Sequence, residues 1–365
     1  MRAWSGILTL VAVLVAGVPP PAWGQQPARA PGEEFRIRVK VELVTTPVTV
    51  FDRRGEFVYG LMREDFEVWD NNIPQRISQF EFSSPPISLA LLVNTSSRIK
   101  PLLARVRATG ILFHSYILGE TGEAAVITFD DEVRVRQRFT DEPEKIEQAI
   151  KAIQAGGDRS RLADALASGI RLLLRRPPER RKVIIIISEP RDAGSETSLG
   201  EMLRVAQLAD ISIYTLALSY TQALLKAKRE DRPLPASPFP PGVFPGPPLP
   251  GTAQTPTSEQ QNVARADLLT VIRQLVAAVH TRVPFEENVL EVLAAATGGA
   301  YDSPLSDASL QAAINSIGQE LHNQYLLAYR PTNLDQPGYH EIRVRVRRQQ
   351  IWVRARPGYY LGPPL

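Results

Sequence analysis

The spacing of apolar and polar positions changes several times along the chain, and each change marks an element. Residues 35–43 alternate: Phe35, Ile37, Val39, Val41 and Leu43 share one side, opposite mostly charged residues. That is the pattern of a half-buried strand. Residues 48–51, 57–61, 66–69 and 77–82 predict further short strands, with Asp52-Arg53-Arg54-Gly55 and Asp70-Asn71-Asn72 as turns. Pro47 interrupts the first pattern and predicts an edge position or a bulge. At 89–93 the alternation stops. This run is apolar throughout, as in a strand buried on both faces, and it ends abruptly in Asn94-Thr95-Ser96-Ser97-Arg98. A helical pattern follows over 99–118.

Downstream, buried strands and helices keep alternating. Residues 123–129 (EAAVITF) predict a buried strand, turned by Asp130-Asp131 into an antiparallel partner at 133–139. Helices are predicted at 141–154, with Thr140 as N-cap and Gly156-Gly157 as the stop, and at 160–176, 199–208, 264–279, 285–297 and 306–323. Residues 183–187 (VIIII) are the most apolar run after residue 24 and the expected centre of the sheet. Residues 211–218 and a short stretch after Gly298-Gly299 complete it. This order predicts a doubly wound α/β sheet. Ligands are expected where polar turns leave the carboxyl ends of its strands. Period two returns at 325–329, 340–347 and 351–356. Neither β-patterned flank alone makes a stable sandwich, so we expect both to join in one β domain. Residues 236–257 (ASPFPPGVFPGPPLPGTAQTPT) lack the donors for regular structure and predict a Pro-rich insertion, a spacer or a Pro-rich ligand.

Composition narrows the function. The chain has 365 residues, 44% of them hydrophobic, enough for two domains or one large domain with additions. The net charge is only +3, and the arginine clusters (Arg175, Arg176, Arg180, Arg181; Arg343, Arg345, Arg347, Arg348) are offset by acids elsewhere. They predict a solvated helix end and a charged strand face, not a nucleic-acid patch. The absence of cysteine excludes disulfides, zinc thiolate sites and thiol nucleophiles. Arg2, the apolar run 6–18, Pro19 to Pro21 and Ala22-Trp23-Gly24 predict a signal peptide over 1–24, cleaved before Gln25. An uncleaved anchor is the alternative. The expected product is exported, periplasmic or secreted, with no stable membrane span after cleavage, and begins with a polar leader at 25–34.

Several phrases carry a family resemblance. Residues 87–98 (ISLALLVNTSSR) are similar to the first strand and metal loop of a von Willebrand factor A domain, whose usual pattern is D-x-S-x-S. The phrases FVYGLMREDFEVWD, QYLLAYRP and VRARPGYY resemble a group of bacterial exported von Willebrand factor A-related proteins. The resemblance spans about 35–360. It implies an α/β, doubly wound, Rossmann-like von Willebrand factor A domain with an added β domain built from N- and C-terminal strands. The divisions are 1–24 signal peptide, 35–84 N-terminal β module, 86–324 A-like domain with insertion 236–257, and 325–360 C-terminal strands joining the N-terminal module.

The resemblance also implies a metal-ion-dependent adhesion site on three loops. The first holds Asn94, Ser96 and Arg98. In the second, 156–165, Ser160 matches the family's threonine. In the third, Ser188-Glu189-Pro190 stands where Ser-Asp-Gly is usual. Asn94 keeps an oxygen but loses a charge, Glu189 is one methylene longer, and Arg98 puts a cation where a hydroxyl ligand belongs. The implied site is degenerate, with Asn94, Ser96, Ser160 and Glu189 as ligands, and holds no cofactor or only weakly bound Mg²⁺ or Mn²⁺. The implied partner is a protein, met through Asn94, Ser96, Arg98, Ser160 and Glu189. The first expectation is that Arg98 turns inward and pairs with Glu189 in the ion's place; the alternatives are Ser96 and Ser97 as plain N-caps, and Arg98 swung out to solvent with Asp158 or Asp192 supporting weak binding.

No catalytic set emerges from the sequence. His114 lies in an apolar pattern, and His280, His322 and His340 lack metal-ligand spacing. Ser188 is not in a nucleophile elbow, and Asp130 with Asp131 sits at a turn. A non-enzymatic interaction protein is expected. The alternative is an exported hydrolase using Glu189, Asp192 and Asp130 as carboxylates.

Overall fold

A computed structural model describes residues 43–82, 85–218, 288–333 and 336–361. Strands are numbered β1 to β14 and helices α1 to α7 in chain order. Strand β5 (Ile87–Asn94) is buried at every position. The reason is its place in a six-stranded sheet of order β10-β9-β8-β5-β6-β7. The other members are β6 (Glu123–Phe129), β7 (Val133–Thr140), β8 (Arg181–Ser188), β9 (Ser212–Ala217) and β10 (Tyr301–Asp302). All pairings are parallel except β6 with β7. From β5 the chain moves to β6 on one side, then returns to β8 on the other. The order therefore reverses between β5 and β8, which opens a crevice at their carboxyl ends.

Both faces of the sheet are covered. Leu89, Leu91, Val93, Val183, Ile185 and Ile187 share a core with α3 (Pro143–Lys151), α7 (Asp307–His322) and the segment after β5. Ala90, Leu92 and Ile184 face α4 (Leu162–Leu173). There Gly169 comes so near that a Cβ would stand 3.2 Å from Leu92. Helices α5 (Leu199–Leu208) and α6 (Val289–Thr297) lie beside α4 and β9.

The flanking strands form two four-stranded antiparallel sheets. One has the order β13-β1-β11-β4, from Ile351–Ala355, Val44–Asp52, Tyr325–Tyr329 and Ile77–Glu81. The other is β14-β12-β2-β3, from Gly358–Leu361, Gly338–Val346, Phe66–Asp70 and Ile73–Gln75. Each interleaves N- and C-terminal strands. Their apolar faces, including Val48, Phe66, Leu327 and Ile342, share a second core. The added β domain is thus a sandwich closed by both ends of the described chain.

Two buried polar groups hold it. Asp70 accepts from His340 Nδ1 at 2.8 Å, Asn333 at 3.1 Å, Tyr329 at 3.0 Å and Tyr359 at 2.9 Å. Tyr329 comes from the opposite sheet, so Asp70 ties the sandwich across its core. His340 Nε2 donates to the Gln336 carbonyl at 2.7 Å. Both ring nitrogens therefore face acceptors, the arrangement of an imidazolium. Where α7 runs into β11, Glu320 accepts from Thr49 at 3.2 Å and Gln324 at 3.0 Å, and it pairs with Arg354. Arg181, at the start of β8, donates to the Leu321 carbonyl at 2.8 Å and to Gln324. Burial pushes the Glu320 carboxyl up and the Arg181 guanidinium down.

Several expectations are corrected. The helix expected at 99–118 is broken. It comprises a 3-10 stretch Ser97–Leu102 containing Pro101, α1 (Leu103–Arg107), α2 (Gly110–Leu112) and a π turn Phe113–Leu118. Pro101 has no N–H to give, and 3-10 turns are frequent at helix ends, whereas a π turn is a rare, single-turn bulge. Residues 57–61 form no strand; only an isolated bridge joins Phe57 to Phe51. Thr140 is the last residue of β7, and α3 begins at Pro143, whose fixed φ suits a first turn. Gly156-Gly157 stops no helix, since α3 already ends at Lys151. A Cβ at Gly156 would lie 1.9 Å from Asp130 Oδ2, and one at Gly157 would lie 2.0 Å from Asp131 Oδ2. The glycines let the loop pass the carboxylates. The helix expected at 160–176 is shorter, Leu162–Leu173. Pro47 lies where β1 has β11 on one side and no β13 on the other, because β13 pairs only from Val48 onward. The signal peptide 1–24, the leader, the strand expected over 35–42, the insertion 236–257, the helix 264–279 and His280 lie outside the described residues.

Removing everything after Gln324 takes β11 from β1 and β12 from β2. Hydrogen exchange in 44–52 and 66–70 should then rise toward unprotected rates, and unchanged protection there would contradict the shared sandwich.

The Asp70–His340 pair gives stability a pH dependence. Burial lowers the His340 pKa, but the Asp70 and Gln336 hydrogen bonds outweigh it and the net shift is upward. Its contribution is complete below about pH 6.5 and is lost as pH rises through the raised value. Burial likewise opposes ionisation of Asp70, yet its donors win and its pKa falls. That contribution is present above about pH 3.9 and is lost on acidifying through the lowered value. The urea midpoint should fall on the alkaline side of this window in the wild type and stay flatter in His340→Gln.

Candidate functional site

The crevice between β5 and β8 is closed by a knot centred on Asn94. The side chain is fully buried at the end of β5. Its Oδ1 accepts the Ser96 N–H at 2.7 Å, which fixes the amide's orientation. The amino group then donates to Ser160 Oγ at 2.9 Å and Ser188 Oγ at 3.0 Å. Ser160 Oγ in turn donates to the Arg191 carbonyl at 3.0 Å, and Ser188 Oγ to the Glu189 carbonyl at 2.8 Å. One amide thereby joins the loops after β5 and β8 and the loop before α4.

The neighbouring loops are locked as well. Thr95 Oγ1 donates to Asp130 Oδ2 at 2.7 Å, and its carbonyl accepts Gly156 N–H at 2.7 Å. Ser97 N–H donates to Gly157 O at 2.8 Å, and its hydroxyl to Asp158. Burial would raise the Asp130 carboxyl, but hydrogen bonds from Thr95, the Glu132 amide and Arg134 outweigh it and lower the pKa. Ser160 and Ala193 exchange both backbone hydrogen bonds. Asp192 accepts from Ser195 Oγ at 2.6 Å and the Ala163 N–H at 3.2 Å, and burial pushes its pKa up.

Above the knot, Arg98 Nε donates to Glu189 Oε2 at 2.8 Å; the Glu189 side chain is 12% exposed and that of Arg98 58%. Glu189 Oε1 and Ser96 Oγ are buried and have no hydrogen-bond partner among the described residues. All five expected site residues, Asn94, Ser96, Arg98, Ser160 and Glu189, lie on the three loops around this crevice. Three residues that sequence reasoning did not assign to this cluster belong to it: Ser188 and Arg191 in the knot, and Thr95 beside it. Thr95 and Ser188 lay in the loops already singled out, so loop membership was the available signal.

The family profile of the von Willebrand factor type A domain matches residues 89–209. With the sheet order above, this identifies the α/β core as a von Willebrand factor type A domain. Similar solved structures include an aerotolerance-related membrane protein from Bacteroides fragilis, at 12% identity and TM-score 0.39, covering 64% of this chain and 99% of that one. BatB from Bacteroides thetaiotaomicron is 12% identical with TM-score 0.37, over 64% of this chain and 98% of that one. Proximal thread matrix protein 1 from the mussel byssus, with a zinc-occupied MIDAS motif, is 12% identical with TM-score 0.42, over 69% and 50%. No curated protein matches the chain.

The family implies a divalent ion, and the donor set here does not fit one. Such ions take about six oxygen ligands, carboxylates foremost. Asn94 turns its NH₂ toward the crevice, and its oxygen is already used. Ser160 and Ser188 are committed to the knot. The remaining oxygens are Ser96 Oγ and Glu189 Oε1, and the one negative charge at the centre already faces Arg98. No group of three or more His, Cys, Asp or Glu able to hold a metal occurs among the described residues.

The carboxylates proposed for hydrolysis are not brought together as a reactive pair. Asp130 is engaged by Arg134 at 3.0 Å, Glu189 by Arg98, and Asp192 by Ser195. Ser195 Oγ in turn accepts the Ala163 N–H at 3.1 Å at the start of α4, so this pair caps a helix.

Asn94→Ala would leave the buried Ser96 N–H without its acceptor and untie three loops. We expect a loss of about 1–3 kcal/mol in urea unfolding, with Ser188→Ala costing less, since it removes only one arm of the knot.

Proposed function

We propose that the chain is an exported, non-enzymatic interaction protein. It binds a protein partner through the loops at the carboxyl ends of β5 and β8, at an adhesion site that has lost its metal. One observation carries this reading. At the switch point of a von Willebrand type A fold, the ligand positions are tied to one another by the Asn94 amide and topped by the Arg98–Glu189 pair. That makes an ordered, polar, partly exposed surface with no activated nucleophile in it. Rigid loops on a buried sheet suit recognition, because less conformational freedom is lost on binding. Export is supported by the charge, apolar run and small residues of 1–24. No described helix is long and apolar enough to cross a membrane.

Calorimetric titration with Mn²⁺ tests the metal-free part. The wild type should show no micromolar binding, and Asn94→Asp with Arg98→Ser and Glu189→Asp should gain it; micromolar binding by the wild type would refute the proposal. For the partner, the immobilised chain from residue 25 should retain the same polypeptide from an envelope or secreted fraction in EDTA as in Mg²⁺. Equal retention by a protein with 156–161 and 189–193 shuffled would remove the loops from the interaction.

A further inference from the structure

The seam between the α/β core and the sandwich carries an uneven charge. Arg181, at the start of β8, is 8% exposed, and Glu320 and Gln324 are 2% exposed. Glu320 Oε1 accepts from Thr49 at 3.2 Å, Gln324 at 3.0 Å and Tyr214 at 3.4 Å, while Oε2 pairs with Arg354. The one carboxylate of the cluster is thus filled, and its ion pair is with Arg354. Arg181 reaches it only through an amide: its Nη2 donates to Gln324 Oε1, and Gln324 Nε2 donates to Glu320. Its Nη1 donates to the Leu321 carbonyl at 2.8 Å, in the last turn of α7. That end of a helix is partly negative and offsets part of the charge. No carboxylate among the described residues stands within ion-pair distance of Arg181. Burial pushes the Tyr214 phenol up, so it stays neutral. Two guanidinium groups therefore share one acid.

Two donors in the same cluster are unspent. Arg181 Nε and Arg354 Nε are buried and have no hydrogen-bond partner among the described residues. A buried donor without an acceptor is costly, and a buried charge without a counter-charge is costlier. Groups of this kind mark an ordered water or an ion. Water would give Arg181 its acceptor and leave the charge uncancelled. A small anion supplies both. Its size is limited because Arg181 is enclosed by β8, α7 and β11. Its charge is limited to one, since the cluster's excess is one and a dianion would reverse it.

We propose that this seam binds one small monovalent anion, a halide such as chloride, at Arg181 Nε, drawn there by the positive charge that Arg181 and Arg354 hold in excess of Glu320. Arg181 belongs to the core and Arg354 to β13 of the sandwich, and Glu320 and Gln324 link them. An anion there cancels charge brought together from both layers, so its binding stabilises the junction. The site lies at the amino end of β8, away from the loops at the carboxyl end, and its occupancy does not depend on what those loops bind.

Thermal unfolding of the full chain, in chloride against gluconate at constant ionic strength, reads the occupancy. At ten times its dissociation constant, chloride should raise the folding equilibrium constant about elevenfold, and the midpoint with it. Charge sets the direction of each variant. Arg354→Gln leaves one cation for one acid and should weaken chloride binding about tenfold, whereas Glu320→Gln leaves two cations and no acid and should tighten it by a similar factor. Arg181→Met should remove the response. Arg175→Gln, an exposed arginine away from the seam, should respond as the wild type does. Crystals of the wild type grown in bromide give a second readout that stands even if Arg181→Met does not fold: an anomalous peak in contact with Arg181 Nε. A midpoint indifferent to chloride, equal responses of Arg354→Gln and Glu320→Gln, or bromide found only on the outer surface with water at Arg181 Nε would each overturn the proposal.

Discussion

A strand buried on both faces must end somewhere, and its last side chain either reaches water or finds its partners inside. Strand β5 takes the second course. Asn94 is fully buried, and an unpaired amide there would cost several kcal/mol. Its oxygen and both amino hydrogens are satisfied, by Ser96, Ser160 and Ser188. Because those partners lie on other loops, satisfying one side chain fixes the relative position of all three. The same economy explains the glycines at 156–157, which let the second loop approach Asp130 and Asp131 closely enough to be held.

The sandwich extends that order to the ends of the described chain. The α/β core is inserted between β4 and β11, which are neighbours in one sheet, so the core leaves and re-enters at adjacent points. At the re-entry, Glu320, Gln324, Arg181 and Thr49 form a buried polar seal between the two cores. Buried ion pairs contribute little net stability because desolvation offsets their attraction, yet losing one partner is costly. Here they tie the end of α7 to Thr49 of β1 and Arg354 of β13. Asp70 does the same across the sandwich, where four donors from three strands and one loop converge on one carboxylate.

At the candidate site, charge decides between two chemistries. A divalent ion attracts carboxylates strongly, and the family's usual loops supply them. Here the first position is an amide and the remaining acid is compensated by a guanidinium at 2.8 Å. A second cation brought to the same place would be repelled by about 4 kcal/mol per unit charge at 4 Å, with an effective dielectric near 20. An amide that donates, in place of a carboxylate that accepts, also turns the serine lone pairs inward.

Much of this was legible from the sequence. Unbroken apolar runs such as VIIII and LALLV can sit only in strands covered on both sides, so the doubly wound sheet and its polar carboxyl end followed from pattern alone. The alternating flanks likewise implied a shared β domain. Local features that depend on distant neighbours were not legible. Gly156-Gly157 looks like a helix stop in sequence, and only the approach of Asp130 and Asp131 gives it another purpose. Residues 99–118 have a helical period, but how the backbone yields around Pro101 depends on what it packs against. The Arg98–Glu189 pair was expected from the charges on the loops and is present; the orientation of Asn94 was decided by tertiary structure. A short polar side chain can donate or accept, and a long arginine can reach many places; the folded loops around them select one arrangement.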